Sequence, residues 1–278
     1  YRVTVPDGTV QAASVNHAIS ALASVLNVAL GEGFMQNQHI MYFRKACNIQ
    51  KPTGPALVDV WNIAIVFNWF RKTEQPGSWS WKYLLERVVV LLRIDLFARS
   101  SDLTKIFREQ ILWENGLFKV RFLKPKEWRP EGKSSFRQWS NWVTVHKLSK
   151  EEGLCSYAML KRWLQVTDKV APRVLVEGQW RTAVFFKRVN GVSKSLSLGE
   201  ISKITNVVLR KAGVPGRFTP QSLRSAASSA AFDDGVPVEQ ILHQGRWSSK
   251  EIFKKYYYRS TGRNKKSKKL NLQEKLRQ

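Results

Sequence analysis

The chain has 278 residues, and its 46 Lys and Arg against 21 Asp and Glu give a formal charge of +25 at pH 7. Hydrophobic residues make up 43% of it, which is a globular composition, and the length suffices for one large or two modest domains with their own cores. These values exclude a disordered basic tail, and the charge predicts a polyanionic partner such as nucleic acid.

Membrane, metal and disulfide-rich classes are also disfavoured. The apolar stretches are interrupted by residues such as Asn68 and Arg93, so none reaches the roughly 18 residues that a spanning helix needs. Cys47 and Cys155 form no disulfide framework, which suits a reducing compartment, and neither the cysteines nor the histidines have the spacing of metal ligands. Because the sequence begins at Tyr1 and not at Met, we expect it to be part of a longer protein.

The N-terminal end differs from the rest, because residues 1–50 hold few of the charged side chains. A helix capped by Ser14 repeats its apolar positions up to Gly31, and a second helical pattern spans residues 34–47. Residues 51–55 read Lys-Pro-Thr-Gly-Pro, a segment that breaks any helix crossing it. The sequence therefore predicts a small helical module over residues 1–50 and a linker over 51–55.

One β-pattern stands out downstream. Residues 117–123 alternate apolar and basic side chains, which predicts a strand whose apolar residues face the core while Lys119 and Arg121 face out. Residues 141–146 form the predicted partner strand of an antiparallel pair.

Helical patterns dominate the remainder. Residues 56–260 therefore form a predicted domain of mainly α (α+β) class with one small antiparallel sheet, and residues 261–278 a basic tail that includes a short helix. The helices with the densest apolar patterns are predicted over residues 56–71, 80–97 and 197–212.

Helix caps place the C-terminal motifs. Thr219 followed by Pro220 predicts a helix start, which puts Gln221 and Arg224 on one face near the positive end of the helix dipole. Such an end is well suited to a phosphate.

The next motif unit is a turn followed by a helix. Gly245 predicts the end of one helix, and Ser248 with Glu251 predicts a capping box that opens the next. Trp247 in the turn and Tyr256 in the helix are thereby predicted to lie on one rigid unit.

These residue types suit phosphoryl transfer to a tyrosine. Two arginines from different helices, Arg99 and Arg224, can each meet two phosphate oxygens with a fixed charge. Nearby cations favour the phenolate of a tyrosine, and a lysine on a hairpin can protonate the departing sugar oxygen. The predicted chemistry requires neither a metal nor a nucleotide cofactor.

Residues 219–259 resemble the C-terminal half of the active site of the tyrosine recombinase (phage integrase-like) family, of the Cre/Flp type with Trp in the penultimate motif. The resemblance extends over about residues 56–259. The Ser-Leu-Arg-Ser-Ala-Ala and Gly-Arg-Trp-Ser-Ser segments are most similar to the DIRS-like and Crypton-like transposon recombinases of eukaryotes. The resemblance implies that residues 1–50 are a reduced core-binding module, which closes around DNA together with the tyrosine recombinase catalytic domain.

The resemblance also implies a role for each site residue. Asp102 would support the first arginine, for which Arg93 is a less favoured substitute, and the lysine would be Lys126, with Lys124 a close rival. A nine-residue interval after Trp247 selects the nucleophile among the three tyrosines at 256–258. The implied catalytic set is Arg99, Lys126, Gln221, Arg224, Trp247 and Tyr256, with Gln221 in the slot where His is usual.

The implied function is site-specific DNA recombination or transposition through a 3′-phosphotyrosine intermediate. Because Gln221 cannot carry a proton through a useful pKa, a weakened or inactive DNA-binding descendant is the alternative. A type IB topoisomerase is less favoured, since the Trp247 motif and the small size speak against it.

The basic residues between 119 and 137, in the hairpin predicted from the two strands, predict contacts with the backbone of double-stranded DNA. The resemblance implies a homodimer or homotetramer on DNA, and the lysines of residues 265–269 predict import into the nucleus or nonspecific DNA contacts. The predicted DNA-binding residues are Lys119, Arg121, Lys124, Arg129, Lys133 and Arg137.

Overall fold

The structure, a computed structural model, describes residues 12–30, 33–50, 60–73, 80–123, 142–147, 150–216 and 218–259. The chain divides into two compact units, Tyr1–Val58 and Asp59–Gln278. The predicted linker over 51–55 and the predicted tail over 261–278 lie outside the described residues.

The first unit is a pair of helices, α1 (Ala12–Leu30) and α2 (Gln38–Gln50), joined through a 3-10 turn at Phe34–Gln36. Both predicted helices are present, although Ser14 lies inside α1 and does not cap it. The guanidinium of Arg44 in α2 donates to the side-chain oxygen of Asn16 in α1 at 3.0 Å, which ties the pair together. Its role as a core-binding module stays a prediction.

The second unit is mostly helical and is built around α4, which contacts α6, α7 and α8. In α4, Val88, Val89 and Val90 have no exposed surface, because this helix is apolar on nearly every side. The helices of this unit are α3 (Ala64–Lys72), α4 (Trp81–Asp95), α5 (Ser100–Leu103), α6 (Ser156–Val166), α7 (Leu198–Lys211), α8 (Ser222–Asp233), α9 (Val238–Gly245) and α10 (Lys250–Tyr256).

Local capping signals explain which helix starts were predictable. Ser80 caps α4 by accepting from the backbone N–H of Tyr83, and Ser197 forms a capping box with Glu200 at α7. The helix predicted from residue 56 was placed too early, because residues 60–63 are not helical and α3 begins at Ala64. None of the described helices is both long and apolar enough to cross a lipid bilayer.

The predicted antiparallel pair is confirmed. Strands β2 (Leu117–Arg121) and β3 (Trp142–Val145) pair with Phe118 opposite Val145, and β1 (Ile111–Glu114) adds a third strand beside β2. Phe118 and Val120 are buried while Arg121 is exposed, as the alternation predicts.

The prediction of a single sheet was wrong. Two further hairpins lie between α6 and α7, formed by strands β4 (Arg173–Val176) and β5 (Gln179–Thr182), then β6 (Phe186–Val189) and β7 (Val192–Ser195). Each turn has two consecutive residues with positive φ, Glu177-Gly178 and Asn190-Gly191, which is the geometry of a two-residue hairpin turn. The strands have only four residues each, too few for a persuasive alternating pattern.

A cavity of about 450 Å³ lies between α4, β3, α8 and α9, and Asp95 at the end of α4 lines it. Burial raises the pKa of Asp95 to about 7, although Ser156 donates to its carboxyl at 2.7 Å. The other titratable side chains lining this cavity are His146, Glu239 and His243.

This raised pKa predicts a loss of stability as the pH rises from about 4 to about 7, because only the folded chain holds the Asp95 proton across that range. Between pH 5 and pH 8 the unfolding free energy of Asp95→Asn should rise relative to that of the parent by up to about 3 kcal/mol, since about two of these pH units lie below the folded-state pKa and one unit is about 1.4 kcal/mol. Urea denaturation at both pH values measures this.

The exposed Asp168, which pairs with Arg108 at the surface, provides the control, since Asp168→Asn should show no such gain at pH 8. Equal differences between Asp95→Asn and the parent at the two pH values would contradict the assignment.

Candidate active site

The site begins where α4 ends. Leu96 and Phe97 turn the chain, with Phe97 in the left-handed region at φ 44, so that Arg99 immediately precedes α5. The carboxylate of Asp102 in α5 accepts from the backbone N–H of Arg99 at 2.9 Å. The carboxylate is therefore fixed by the main chain of the segment that carries the first arginine.

Arg224 of α8 is completely buried and connects three parts of the fold. One terminal nitrogen of its guanidinium donates to the carbonyl of Phe97, and the other donates to the carbonyl of Gly245 at the end of α9. Small residues at Ala226 and Ala227 follow it in α8 and are also buried. The predicted second arginine is thus part of the packed core as well as of the site.

A third arginine, Arg246, completes the cluster. It ends α9 in the left-handed conformation (φ 55, ψ 43), and only 2% of it is exposed. Its Nη2 donates to Asp102 Oδ2 at 2.6 Å, and its guanidinium lies 4.1 Å above the ring of Phe122. Sequence reasoning assigned Arg246 no role, although a basic residue between the helix-ending Gly245 and Trp247 was a usable signal.

Asp102 is surrounded by the three arginines. Besides its bonds to Arg246 and to the backbone of Arg99, its Oδ2 lies 3.9 Å from Nη1 of Arg224. Burial alone would raise the pKa of this carboxyl, but the charges of Arg246, Arg224 and Arg99 hold it below its usual value. Its support therefore extends beyond Arg99, the arginine for which the sequence predicted it.

Positive charge exceeds negative charge in this cluster, since three guanidinium groups face one carboxylate. Burial lowers the pKa of Arg224 to about 9, and the charges of Arg99 and Arg246 add to that effect. Among the described residues, Nε of Arg224 and both Nε and Nη1 of Arg246 have no hydrogen-bond partner. Such a cluster is suited to an anion that brings its own acceptor oxygens.

Trp247 is an integral part of the same cluster. It is buried, its ring lies 4.3 Å from the Arg224 guanidinium carbon, and it packs against Phe97 and Phe253. A Cβ at Gly245 would come within 2.0 Å of the indole, so only glycine allows this approach. Its indole N–H is directed at the hydroxyl of Tyr257 and helps to lower the pKa of that phenol, although within the described part of the chain it meets no acceptor at full hydrogen-bond geometry.

The structure brings Tyr257, and not Tyr256, into the cluster. The hydroxyl of Tyr257 accepts from Nη2 of Arg99 at 3.3 Å, and its ring centroid lies 4.7 Å from that of Trp247. Burial alone would raise the pKa of this phenol, but the charges of Arg224 and Arg99 and the hydrogen bond from Arg99 lower it. Tyr256, which the nine-residue interval selected, is 58% exposed.

The start of α10 accounts for part of this difference. Ser249, one residue later than the predicted Ser248, caps the helix by accepting from the backbone N–H of Ile252. Phe253 is buried, and Tyr257 follows it by four residues on the same side of the helix. The tyrosine that this face turns inwards is therefore Tyr257.

Gln221 lies at the rim. The helix predicted to start at Thr219 begins at Ser222, so Gln221 occupies the N-cap position, where its side chain is exposed and makes no capping bond. The buried Arg93, the less favoured substitute for the first arginine, donates to Ala98, Thr205 and the carbonyl of Pro220. Arg93 thus holds the chain that leads to Gln221.

Several predicted residues cannot be placed. Of the predicted DNA-binding residues that are described, Lys119 pairs with Glu114 and Arg121 is exposed at the end of β2, the strand that leads towards the predicted lysine. No group of three or more His, Cys, Asp or Glu able to hold a metal ion occurs within the described ranges. The residues outside these ranges are Lys124, Lys126, Arg129, Lys133 and Arg137.

The geometry predicts a strong dependence of stability on the Asp102 carboxylate. Asp102→Asn leaves three guanidinium groups without their counter-charge, so the free energy of unfolding should fall by about 3–5 kcal/mol. Chemical denaturation measures the free energy of unfolding, and added sulfate should restore part of the lost stability by binding to the arginine cluster.

A surface pair supplies the comparison. Glu151 accepts from Arg71 at 2.9 Å, with side chains 32% and 42% exposed, so Glu151→Gln should cost less than about 1 kcal/mol. An Asp102→Asn variant as stable as Glu151→Gln would contradict the account of the cluster.

Solved structures share this fold. The Tn1549 transposon integrase in complex with a circular intermediate DNA is 14% identical, with 91% of this chain and 77% of that chain covered and a TM-score of 0.55. A single-residue variant of it, also with circular intermediate DNA, is 13% identical, with 91% of this chain and 77% of that chain covered and a TM-score of 0.58. The XerH site-specific recombinase bound to its palindromic difH substrate is 13% identical, with 89% of this chain and 69% of that chain covered and a TM-score of 0.50.

Comparison of sequences is more specific. No curated protein matches the chain. The model of the phage integrase family matches residues 80–263, which include the three arginines, Asp102, Trp247 and the tyrosines. The match spans well over half of the chain, which therefore belongs to the phage integrase (tyrosine recombinase) family.

Proposed function

We propose that this chain cleaves and rejoins DNA strands as a site-specific recombinase or transposase, through a 3′-phosphotyrosine link. One observation carries the proposal: the buried Arg224, Arg246 and Asp102 form a cluster with excess positive charge, and the partly exposed Arg99 at its edge donates a hydrogen bond to a tyrosine hydroxyl. The family membership supports the same reaction class.

The chemistry follows from charge. Attack on a phosphodiester places extra negative charge on the non-bridging oxygens, and guanidinium groups already held in place stabilise that charge without reorganisation. The same cations favour the phenolate form of the attacking tyrosine. The new tyrosyl phosphate ester conserves the energy of the broken bond, so that rejoining needs no further energy source.

The protonation steps need two further groups. We propose Lys126, or its neighbour Lys124, as the acid that protonates the departing 5′ oxygen. Gln221, exposed at the start of α8, would donate its amide N–H to a phosphate oxygen but would transfer no proton. Trp247 would line the phosphate with its indole N–H, beside the Tyr257 hydroxyl.

Double-stranded DNA is the proposed partner. A formal charge of +25 attracts the phosphate backbone, and the exposed Arg121 lies at the end of β2. The integrase and recombinase structures of the same fold are complexes with DNA, which supports this partner. We propose that the chain works as a dimer or tetramer on DNA, in the nucleus, as a relative of DIRS-like or Crypton-like elements.

A covalent adduct tests the proposal. A nicked suicide duplex that carries the terminal sequences of the element should trap the protein on the 3′ phosphate, which denaturing electrophoresis detects. Arg99→Ala should lower the rate of adduct formation by about 10²-fold or more, since it removes a donor to the developing charge. Arg71→Ala, at the surface, should leave the rate unchanged.

The second candidate, favoured by Gln221, is a DNA-binding protein that keeps the fold without the chemistry. It predicts salt-dependent binding to duplex DNA and no adduct with any substrate. Absence of adducts with folded protein would therefore reject the first proposal in favour of the second.

Gln221 also provides a gain-of-function test. Gln221→His introduces a group with a pKa near 6.5, so adduct formation should become faster by up to about 10²-fold and acquire a pH dependence near neutrality. Gln221→Asn, which keeps an amide, is the matched control. A His variant no faster than the Asn variant would show that this position contributes no proton transfer.

A further inference from the structure

Three consecutive tyrosines have three different environments. Tyr256 is exposed, and its ring lies 5.3 Å from the ammonium of Lys255. Tyr257 is held by Arg99 against Trp247. The hydroxyl of Tyr258 donates to Asp233 of α8 at 3.0 Å.

We propose that Tyr257, and not Tyr256, is the nucleophile of this chain. The inference rests on the proposed strand cleavage and specifies which phenol performs it. It replaces the nine-residue interval from Trp247 with an interval of ten.

The backbone after α10 fixes this choice. The backbone N–H groups of Tyr257 and Tyr258 both donate to the carbonyl of Phe253 at 2.9 Å. Ser229 of α8 donates to the carbonyl of Tyr257 at 3.3 Å and accepts from the backbone N–H of Arg259 at 2.9 Å. The chain is therefore bound to α8 directly beyond the tyrosines.

Moving Tyr256 inwards would be costly. Adjacent residues on a helix differ in direction by about 100°, so the end of α10 would have to rotate by that amount. The rotation would withdraw Phe253 from the core, where it has no exposed surface and packs 5.1 Å from Trp247. It would also break the bonds between Ser229 and the chain at 257–259.

The surroundings of Tyr257 suit a nucleophile. The Arg224 guanidinium carbon lies 5.0 Å from its ring centroid, and the Arg99 donor lies on its oxygen. Both cations favour the phenolate, which is the attacking form. The only cation that the described residues place over the ring of Tyr256 belongs to the surface residue Lys255.

In the proposed cleavage step, Arg99 changes its hydrogen-bond acceptor. When a phosphodiester enters, Arg99 transfers its hydrogen bond from the phenol oxygen to a non-bridging phosphate oxygen, and the phenol proton passes to solvent. The Tyr257 oxygen then forms a bond to phosphorus as the bond from phosphorus to the 5′ oxygen breaks. The departing 5′ oxygen takes up one proton from the proposed lysine acid, which recovers a proton from solvent, so charge and atoms balance.

Phenylalanine variants and adduct mapping test the assignment. With the nicked suicide duplex, Tyr257→Phe should lower adduct formation by at least about 10³-fold, since the nucleophile is lost while the ring still packs against Trp247. Tyr256→Phe and Tyr258→Phe are matched controls and should stay within about threefold of the parent. Mass spectrometry of the digested adduct should place the nucleotide on Tyr257.

The opposite pattern, loss of adduct in Tyr256→Phe with the nucleotide mapped to Tyr256, would overturn the inference while leaving the proposed function intact. No adduct with the parent protein would instead overturn the proposed function. In that case an ultraviolet titration of the free protein still decides the structural part. The difference between the parent and Tyr257→Phe should show one phenol that ionises below the ordinary value near 10, and a titration at that ordinary value would reject the geometry.

Discussion

The carboxylate of Asp102 is the group on which the rest of the site depends. The buried guanidinium groups of Arg224 and Arg246 cannot be brought together without a counter-charge, and this carboxylate supplies it. It is held by the main chain of Arg99, so its position follows from the path of the backbone and not from a flexible side chain. Segments far apart in sequence are thereby fixed relative to one point.

The arrangement leaves the cluster electrostatically incomplete. Hydrogen-bonding groups of Arg224 and Arg246 remain unpartnered among the described residues, and burial makes each of them costly. A bound phosphate would supply acceptors for these donors and remove that cost, so the cluster should have affinity for an oxyanion. The proposed anion site therefore depends on the same burial that stabilises the fold.

Sequence reasoning succeeded where the signals are local. The pairing of β2 with β3 depends on alternation, and the predicted starts of α4 and α7 coincide with serine caps, which are signals readable in the chain. The hairpins between α6 and α7 are too short to show alternation, although Asn190-Gly191 was a usable turn signal.

The site itself was predictable in part. Arg99, Asp102, Arg224 and Trp247 are brought together, as the resemblance implied. The contribution of Arg246 depends on a left-handed residue that aims its side chain at Asp102, and spacing alone cannot show this. Likewise, the tyrosine that turns inwards depends on which face of α10 packs, a tertiary property.

Arg224 has a consequence for the evolution of such chains. Because its guanidinium joins the end of α4 to the end of α9, a lineage that no longer cut DNA would still retain it in order to fold. The hydroxyl of Tyr257 makes a partly exposed hydrogen bond to Arg99, whereas its ring accounts for the packing against Trp247. With Tyr257 as the proposed nucleophile, loss of cleavage would remove selection on its hydroxyl before it removed selection on the arginine, so the tyrosine would be the better indicator of an active enzyme.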